Sequence, residues 1–301
     1  MRPIKRFEFT PILGWSASRY DTFKTCRRRY YYTYYAKFDP EYPVNIINRL
    51  KKMTSIPLEI GNIVHDIIKV LLERLQKTEQ QIDSARFYHY ARKITEQYCQ
   101  KTFSEIYYKA INQLNIDDIY ETVRMILSNL LNSQRFMWVI QNAIKNKDQW
   151  VIEPSGYGQT VINGLKAYCK VDFLFPVDDV LYIMDWKTGK ADKDKHHKQM
   201  LGYTAWAAFH FDHDPEKIHP IIAYLKPEYA EDTLRITRPD TNNFADTVKK
   251  ETQEMYDFCT HIEDNIPKEK TLFEKTTIKV FCDYCNFREL CNSASAIKPI
   301  T

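Results

Sequence analysis

The stretch Lys170-Val-Asp-Phe-Leu-Phe-Pro-Val-Asp-Asp-Val-Leu-Tyr-Ile-Met-Asp-Trp-Lys187 constrains the fold of this chain more than any other. Two β-rich runs flank Pro176-Val-Asp-Asp179, which has the residues a turn needs. A turn centred on Asp178 and Asp179 places Asp172 opposite Asp185. Directly opposed side chains lie about 4.5–5.5 Å apart at Cβ, and like charges there repel. A bound cation reverses that penalty. Side chains alternate faces along a strand, so Lys187 shares a face with Asp185 while Met184 and Trp186 project to the other. Two carboxylates and an amine thus converge.

Such a set suits a hard divalent cation. Mg²⁺ or Mn²⁺ prefers carboxylate oxygen, lowers the pKa of bound water and screens the charge of a phosphate. A neighbouring lysine can orient that water or neutralise developing charge. Taken alone, the same residues also describe a surface hairpin carrying a salt bridge. Upstream, Glu59 to Leu75 reads as an amphipathic helix with Ile60, Val64, Ile67, Ile68, Leu71 and Leu75 as its stripe. His65 sits at the edge of the stripe, and Gly61, one turn earlier, leaves room for another element to approach. Downstream, Asp192 to His210 reads as a helix on which Gln199 and Tyr203 share a face. Alone, His65 is more often a satisfied core histidine than a ligand, and Gln199 with Tyr203 an ordinary helix pair.

The second signal is Cys282-x2-Cys285-x5-Cys291, three thiols that form a ligand set lacking one member. Seven cysteines in a chain without a secretory signature read as metal ligands plus buried thiols rather than as a disulfide framework. Cys26, Cys99, Cys169 and Cys259 are available for the fourth place. Cys99 and Cys259 fall in helical patterns and Cys169 in a strand, where the default is a small core hydrophobe.

In order, Gly61-x3-His65, Asp172, Asp185-Trp-Lys187 and Gln199-x3-Tyr203 resemble the RecB-like branch of the PD-(D/E)xK nuclease superfamily. The resemblance implies an α/β fold, a restriction-endonuclease-like core with a mixed central sheet flanked by helices, carrying a large helical insertion. It implies metal binding by His65, Asp172, Asp185 and the carbonyl of Trp186, with Lys187 catalytic and Gln199 and Tyr203 placing the lysine and the DNA strand. Glu153 resembles the acidic residue that often closes the first core strand. The segment from Trp15 to Tyr32 is similar to the start of iron–sulfur-bearing members, the AddB-type domains and CRISPR-associated RecB-like exonucleases. That implies Cys26, Cys282, Cys285 and Cys291 holding a 4Fe–4S cluster that staples the chain ends. Many members have proline directly after the early cysteine, where this chain has Arg27. Four thiolates also suit Zn²⁺, so zinc remains open on ligand type.

Charge adds little by itself: 43 basic against 39 acidic residues leave +4, too mild to imply nucleic acid. Locally, Arg27, Arg28 and Arg29 abut Tyr30, Tyr31, Tyr32, Tyr34 and Tyr35. This suits phosphates and stacked bases, or equally a helix with core tyrosines and solvated arginines. No signal peptide, membrane span or nucleotide-binding G-x4-G-K-[ST] loop is evident, so a soluble cytoplasmic protein is expected, with any helicase, CRISPR or repair subunit as a partner. Four segments follow: 1–58 with the early cysteine, a helical region 59–147, a nuclease core 148–226, and 227–301 with the terminal cysteines. Strands are expected at 149–153, 158–162, 165–176, 180–187, 219–225 and 233–237, helical runs at 84–110 and 116–144, and a late helix at 241–263. The expected activity is metal-dependent cleavage of DNA, as an exonuclease on single-stranded ends. A non-catalytic DNA-binding scaffold, or a nuclease for duplex DNA or RNA, is the alternative.

Overall fold

The computed structural model describes residues 3–78, 80–154 and 158–292. The expected 1–58 and 227–301 segments run into residues 1–2 and 293–301, which lie outside the described residues. The chain opens with helices α1 (Ala17–Thr25), α2 (Arg27–Tyr34) and α3 (Val44–Lys51), followed by the long α4 (Ile56–Lys77). Then come α5 (Ser84–Tyr98), α6 (Ser104–Tyr107), α7 (Ile116–Leu131) and α8 (Gln134–Asn142). Both long helical runs expected here are broken. Phe103 forms a parallel bridge with Thr54, which pulls the first run out of helix. Ser133 ends the second by capping α8, its hydroxyl accepting from the Phe136 amide.

Strands β1 (Val151–Ile152), β2 (Gln159–Ile162), β3 (Leu165–Tyr168), β4 (Phe173–Val177) and β5 (Val180–Lys187) come next, then α9 (Lys193–Phe211), β6 (Ile218–Tyr224) and β7 (Ala230–Thr233). The central sheet has the order β1-β4-β5-β6-β7. It is mixed: β5 and β6 run parallel while the other neighbouring pairs are antiparallel. Parallel strands need a crossover, and α9 supplies it. The β4–β5 register pairs Phe173 with Met184 and Val177 with Val180, closed by a two-residue turn with Asp178 at φ +53°. Aspartate tolerates that left-handed conformation better than most residues. The run expected as one strand over 165–176 divides at residues 169–172, because β3 pairs with β2 in a separate hairpin whereas β4 joins the central sheet.

The two faces of the sheet carry separate cores. Leu174, Leu181, Ile183, Ile218 and Ile222 face α9 and the late helix α10 (Arg238–Tyr256), meeting Met200, Trp206, Phe244 and Val248. Phe173, Phe175, Met184, Trp186, Ile221 and Ala223 face α4 and α7, meeting Ile63, Val64, Ile67, Val123 and Leu127. The period-2 alternation therefore sends Asp185 to the α9 side and Trp186 to the α4 side. The late strand lies at 230–233 rather than 233–237, and α10 starts earlier than expected. A reciprocal capping box of Thr237 and Asp240 starts it, and the signature T-x2-D was readable in the sequence. The helix ends at Tyr256 because Cys259–His261 (β8) folds onto Ile266–Pro267 (β9). Cys259 is thus in a strand, not a helix. Short helices α11 (Lys279–Asp283) and α12 (Arg288–Asn292) complete the described chain.

Candidate active site

The C-terminal end of β5 is where α4 and α9 approach from opposite faces of the sheet. On α4, Gly61 makes the approach feasible: a Cβ there would lie 3.2 Å from the Thr188 hydroxyl in the segment after β5. His65, one turn on, reaches the sheet edge. Its Nε2 lies 3.0 Å from the Trp186 carbonyl oxygen and its Nδ1 lies 3.4 Å from Asp172 Oδ2. The Trp186 amide donates to that same Asp172 oxygen at 2.9 Å. Asp172 stands one residue before β4, opposite Asp185. Glu153, one residue past β1, extends the ladder by donating its amide to the Asp172 carbonyl at 2.9 Å.

His65, Glu153 and Asp172 form a donor group whose ligand atoms all lie within 4.8 Å of one another. Asp185 lies outside this group because its carboxylate is turned to Lys187, with 2.5 Å between Oδ2 and Nζ. Lys187 also donates to Gln199 Oε1 at 2.7 Å, and Gln199 Nε2 donates to the Tyr203 hydroxyl at 2.5 Å. The α4 side of the site opens into a cavity of about 490 Å³ lined by His65, Glu153, Lys170 and Asp172.

The electrostatics follow from crowded carboxylates. Burial alone would lower the His65 pKa, but Asp172, then Asp185 and Glu153, push it up to about 9. Both ring nitrogens face acceptors, which only the imidazolium satisfies with two donors. Burial and the Asp172 charge raise Asp185 to about 6 against the opposing pull of Lys187. Asp172 is held low because His65, the Trp186 amide and Lys187 outweigh its burial. A divalent cation among these groups would take the place of the proton on His65 and screen the carboxylates from one another. The donor set of imidazole, carboxylates and a backbone carbonyl therefore fits a hard divalent ion.

On α9, His196 is buried with its Nδ1 3.0 Å from the Tyr224 hydroxyl. Burial and then Lys187 lower its pKa to about 4. For a base depressed below its ordinary 6.5, the neutral form is the one the fold favours. Its contribution is complete above pH 6.5 and declines as pH falls towards 4. Urea midpoints at pH 7 and pH 5 should therefore converge in His196→Gln relative to the parent protein. An undiminished difference would assign the acid sensitivity to other groups.

The chain matches the PD-(D/E)XK nuclease superfamily over residues 14–292. It belongs to that superfamily. Among solved structures, a candidate exonuclease from Eubacterium rectale aligns at 13% identity with a TM-score of 0.48, covering 96% of this chain and 91% of that one. SSO0001 aligns at 15% identity with a TM-score of 0.29, covering 76% of this chain and 98% of that one. No curated protein matches significantly. PD-(D/E)XK nucleases use divalent metals, and the His65, Glu153 and Asp172 group is the cluster present here.

Elsewhere in the chain, Cys26, Cys282, Cys285 and Cys291 line one pocket of about 200 Å³. Cys26 is also the N-cap of α2, its sulfur accepting from the Arg29 amide at 3.4 Å. Burial pushes the Cys285 thiol up and the Cys291 thiol up to about 11. Cys169 and Cys259 are buried away from this pocket, and Cys99 caps the end of α5. In the adjoining basic segment, Tyr30, Tyr31, Tyr32 and Tyr35 are core residues packed around Phe273 and Phe287. Arg28 donates to the carbonyls of Phe273 and Lys270 at 2.9 and 3.1 Å, and Arg27 lies 4.7 Å over the Phe258 ring. The arginines thus fasten the N-terminal helices to the C-terminal segment. Among the described residues no helix is long and apolar enough to cross a membrane.

Lys170 was not singled out by the sequence. It donates to Glu153 Oε2 at 2.9 Å, a pairing visible only once β1 and the approach to β4 are neighbours.

Proposed function

We propose that this chain is a metal-dependent DNA nuclease acting as an exonuclease on single-stranded ends, in DNA repair, recombination or defence. We place it in the RecB-like branch with AddB-type and CRISPR-associated exonucleases. The observation that carries the reading is the donor group of His65, Glu153 and Asp172 beside a lysine fixed by Asp185 and Gln199. His65, Asp172, Asp185 and the Trp186 carbonyl would hold Mg²⁺ or Mn²⁺, with Glu153 as a further carboxylate. When bound, such an ion acidifies water and screens the charge of the scissile phosphate. The protein's own contribution is placement. Asp185 and Gln199 hold the Lys187 ammonium so that a remaining N–H can meet the attacking oxygen or the developing charge. Tyr203 in turn fixes the Gln199 amide.

Cys26, Cys282, Cys285 and Cys291 would hold a 4Fe–4S cluster. Their shared pocket supports this. Unwinding of a duplex would fall to a partner helicase.

The test is cleavage of an end-labelled single-stranded oligonucleotide by anaerobically purified protein with Mn²⁺ or Mg²⁺, beside Asp185→Ala and an EDTA control. Metal-dependent laddering lost in both controls is expected, and its direction gives polarity. No cleavage by cluster-loaded protein would overturn the enzyme reading in favour of a scaffold. Equal cleavage of duplex DNA or RNA would overturn the substrate assignment.

A further inference from the structure

We propose that Lys170 is a displaceable counter-charge that also positions the strand. It holds Glu153 until a divalent ion takes that carboxylate, and then grips a backbone phosphate of the strand entering the site. The proposal rests on the reading of this site as a metal-dependent nuclease centre.

Three observations carry it. First, Lys170 and Glu153 are unequal partners: the Glu153 side chain is 10% exposed and that of Lys170 is 54% exposed. The carboxylate is fixed and the ammonium rides on a solvated, flexible stem. Second, Glu153 has φ +35°, a left-handed conformation that a non-glycine residue adopts only when its surroundings impose it. The imposed turn keeps the carboxylate beside His65 and Asp172, the place where a divalent ion is wanted. Third, Lys170 borders two cavities. The cavity of about 490 Å³ contains the metal donors, and a second of about 390 Å³ is lined by Ser16, Lys195, Gln199 and Tyr203. A strand running from one to the other passes Lys170.

The charges then exchange in a defined order. Without metal, the ammonium offsets one of three crowded carboxylates. A divalent ion offers Glu153 twice the charge, and the solvated lysine end of the pair is free to yield. Asp66, which lines the same cavity, is the other acid in its electrostatic reach but makes no ion pair with it, so the released ammonium stands at the seam where the phosphate backbone arrives. Metal loading and strand capture are thereby coupled through one side chain.

The experiment uses the full-length protein in two titrations. Mn²⁺ is titrated calorimetrically without nucleic acid, and a single-stranded oligonucleotide is titrated in Ca²⁺ over a series of salt concentrations. In Lys170→Ala, Mn²⁺ should bind tighter by on the order of three- to ten-fold, because no ammonium competes for Glu153. Oligonucleotide binding should weaken, with a salt slope shallower by about 0.7, and Lys170→Arg should restore that slope. In a Glu153→Gln background, Lys170→Ala should leave Mn²⁺ affinity unchanged. Unchanged or weaker Mn²⁺ binding in Lys170→Ala, or an unchanged salt slope, overturns the role of Lys170 while the nuclease reading stands. If the parent protein shows no Mn²⁺ site that Asp172→Asn removes, the nuclease reading falls and this proposal with it.

Discussion

Replacing Asp185 with Asn should reduce cleavage by on the order of 10³-fold and at the same time raise the melting temperature of the metal-free protein. The loss follows from removing a carboxylate that fixes Lys187 and that would serve as a metal ligand. The gain follows from the pKa. Burial and the Asp172 charge raise this carboxyl from 3.8 to about 6. For an acid raised in the fold, the protonated form is the favoured one. Its contribution is present below about pH 4 and lost as pH rises through 6. At pH 7 the ionised carboxylate is a liability worth up to about 3 kcal/mol, which the neutral amide removes. Activity measurements and calorimetry on EDTA-treated protein at pH 7 check both halves. Retained cleavage would remove Asp185 from the mechanism. A lower melting temperature would mean that the ion pair with Lys187, 2.5 Å away, outweighs the repulsion from Asp172.

Replacing Cys285 with Ser should remove bound iron and lower the melting temperature together. Cys285 is buried between Tyr32, Phe287 and the other three thiols of the pocket. Cys26 lies at the start of α2 and its three partners lie beyond residue 280, so a shared cluster closes nearly the whole chain. Cross-links of that span contribute about 3–5 kcal/mol, which corresponds to a fall of roughly 10 °C. The serine itself fits the space, so packing alone accounts for little of such a change. Iron analysis, visible absorption and thermal melting under anaerobic conditions check the prediction. An unchanged melting temperature would show that no cluster staples the ends, and zinc in place of iron would replace the cluster while preserving the staple.

Not all of this was equally legible in the amino-acid order. The β4–β5 register was, because a two-residue turn and a period-2 pattern leave one pairing that buries Ile183 and Met184 on opposite faces. The helices bearing His65 and Gln199 were too, since their apolar residues recur at helical spacing. Boundaries were misplaced where a distant partner decided them: Phe103 bridging Thr54 interrupts one helix, and the β8–β9 hairpin shortens another.

The sequence by itself determined local geometry: which residues form the hairpin, which face each acid takes, and which helices are amphipathic. These depend on neighbours two to four residues apart, and steric and hydrophobic preferences at that range are strong enough to choose. Only the tertiary structure decided that Glu153 joins His65 and Asp172, that Lys170 pairs with Glu153, and that Cys26 meets the terminal cysteines. It also buries Tyr30, Tyr31 and Tyr32 and binds Arg28 to backbone carbonyls. Those contacts join residues far apart in the chain, and they form because packing both faces of one mixed sheet leaves few ways to bury its apolar surface.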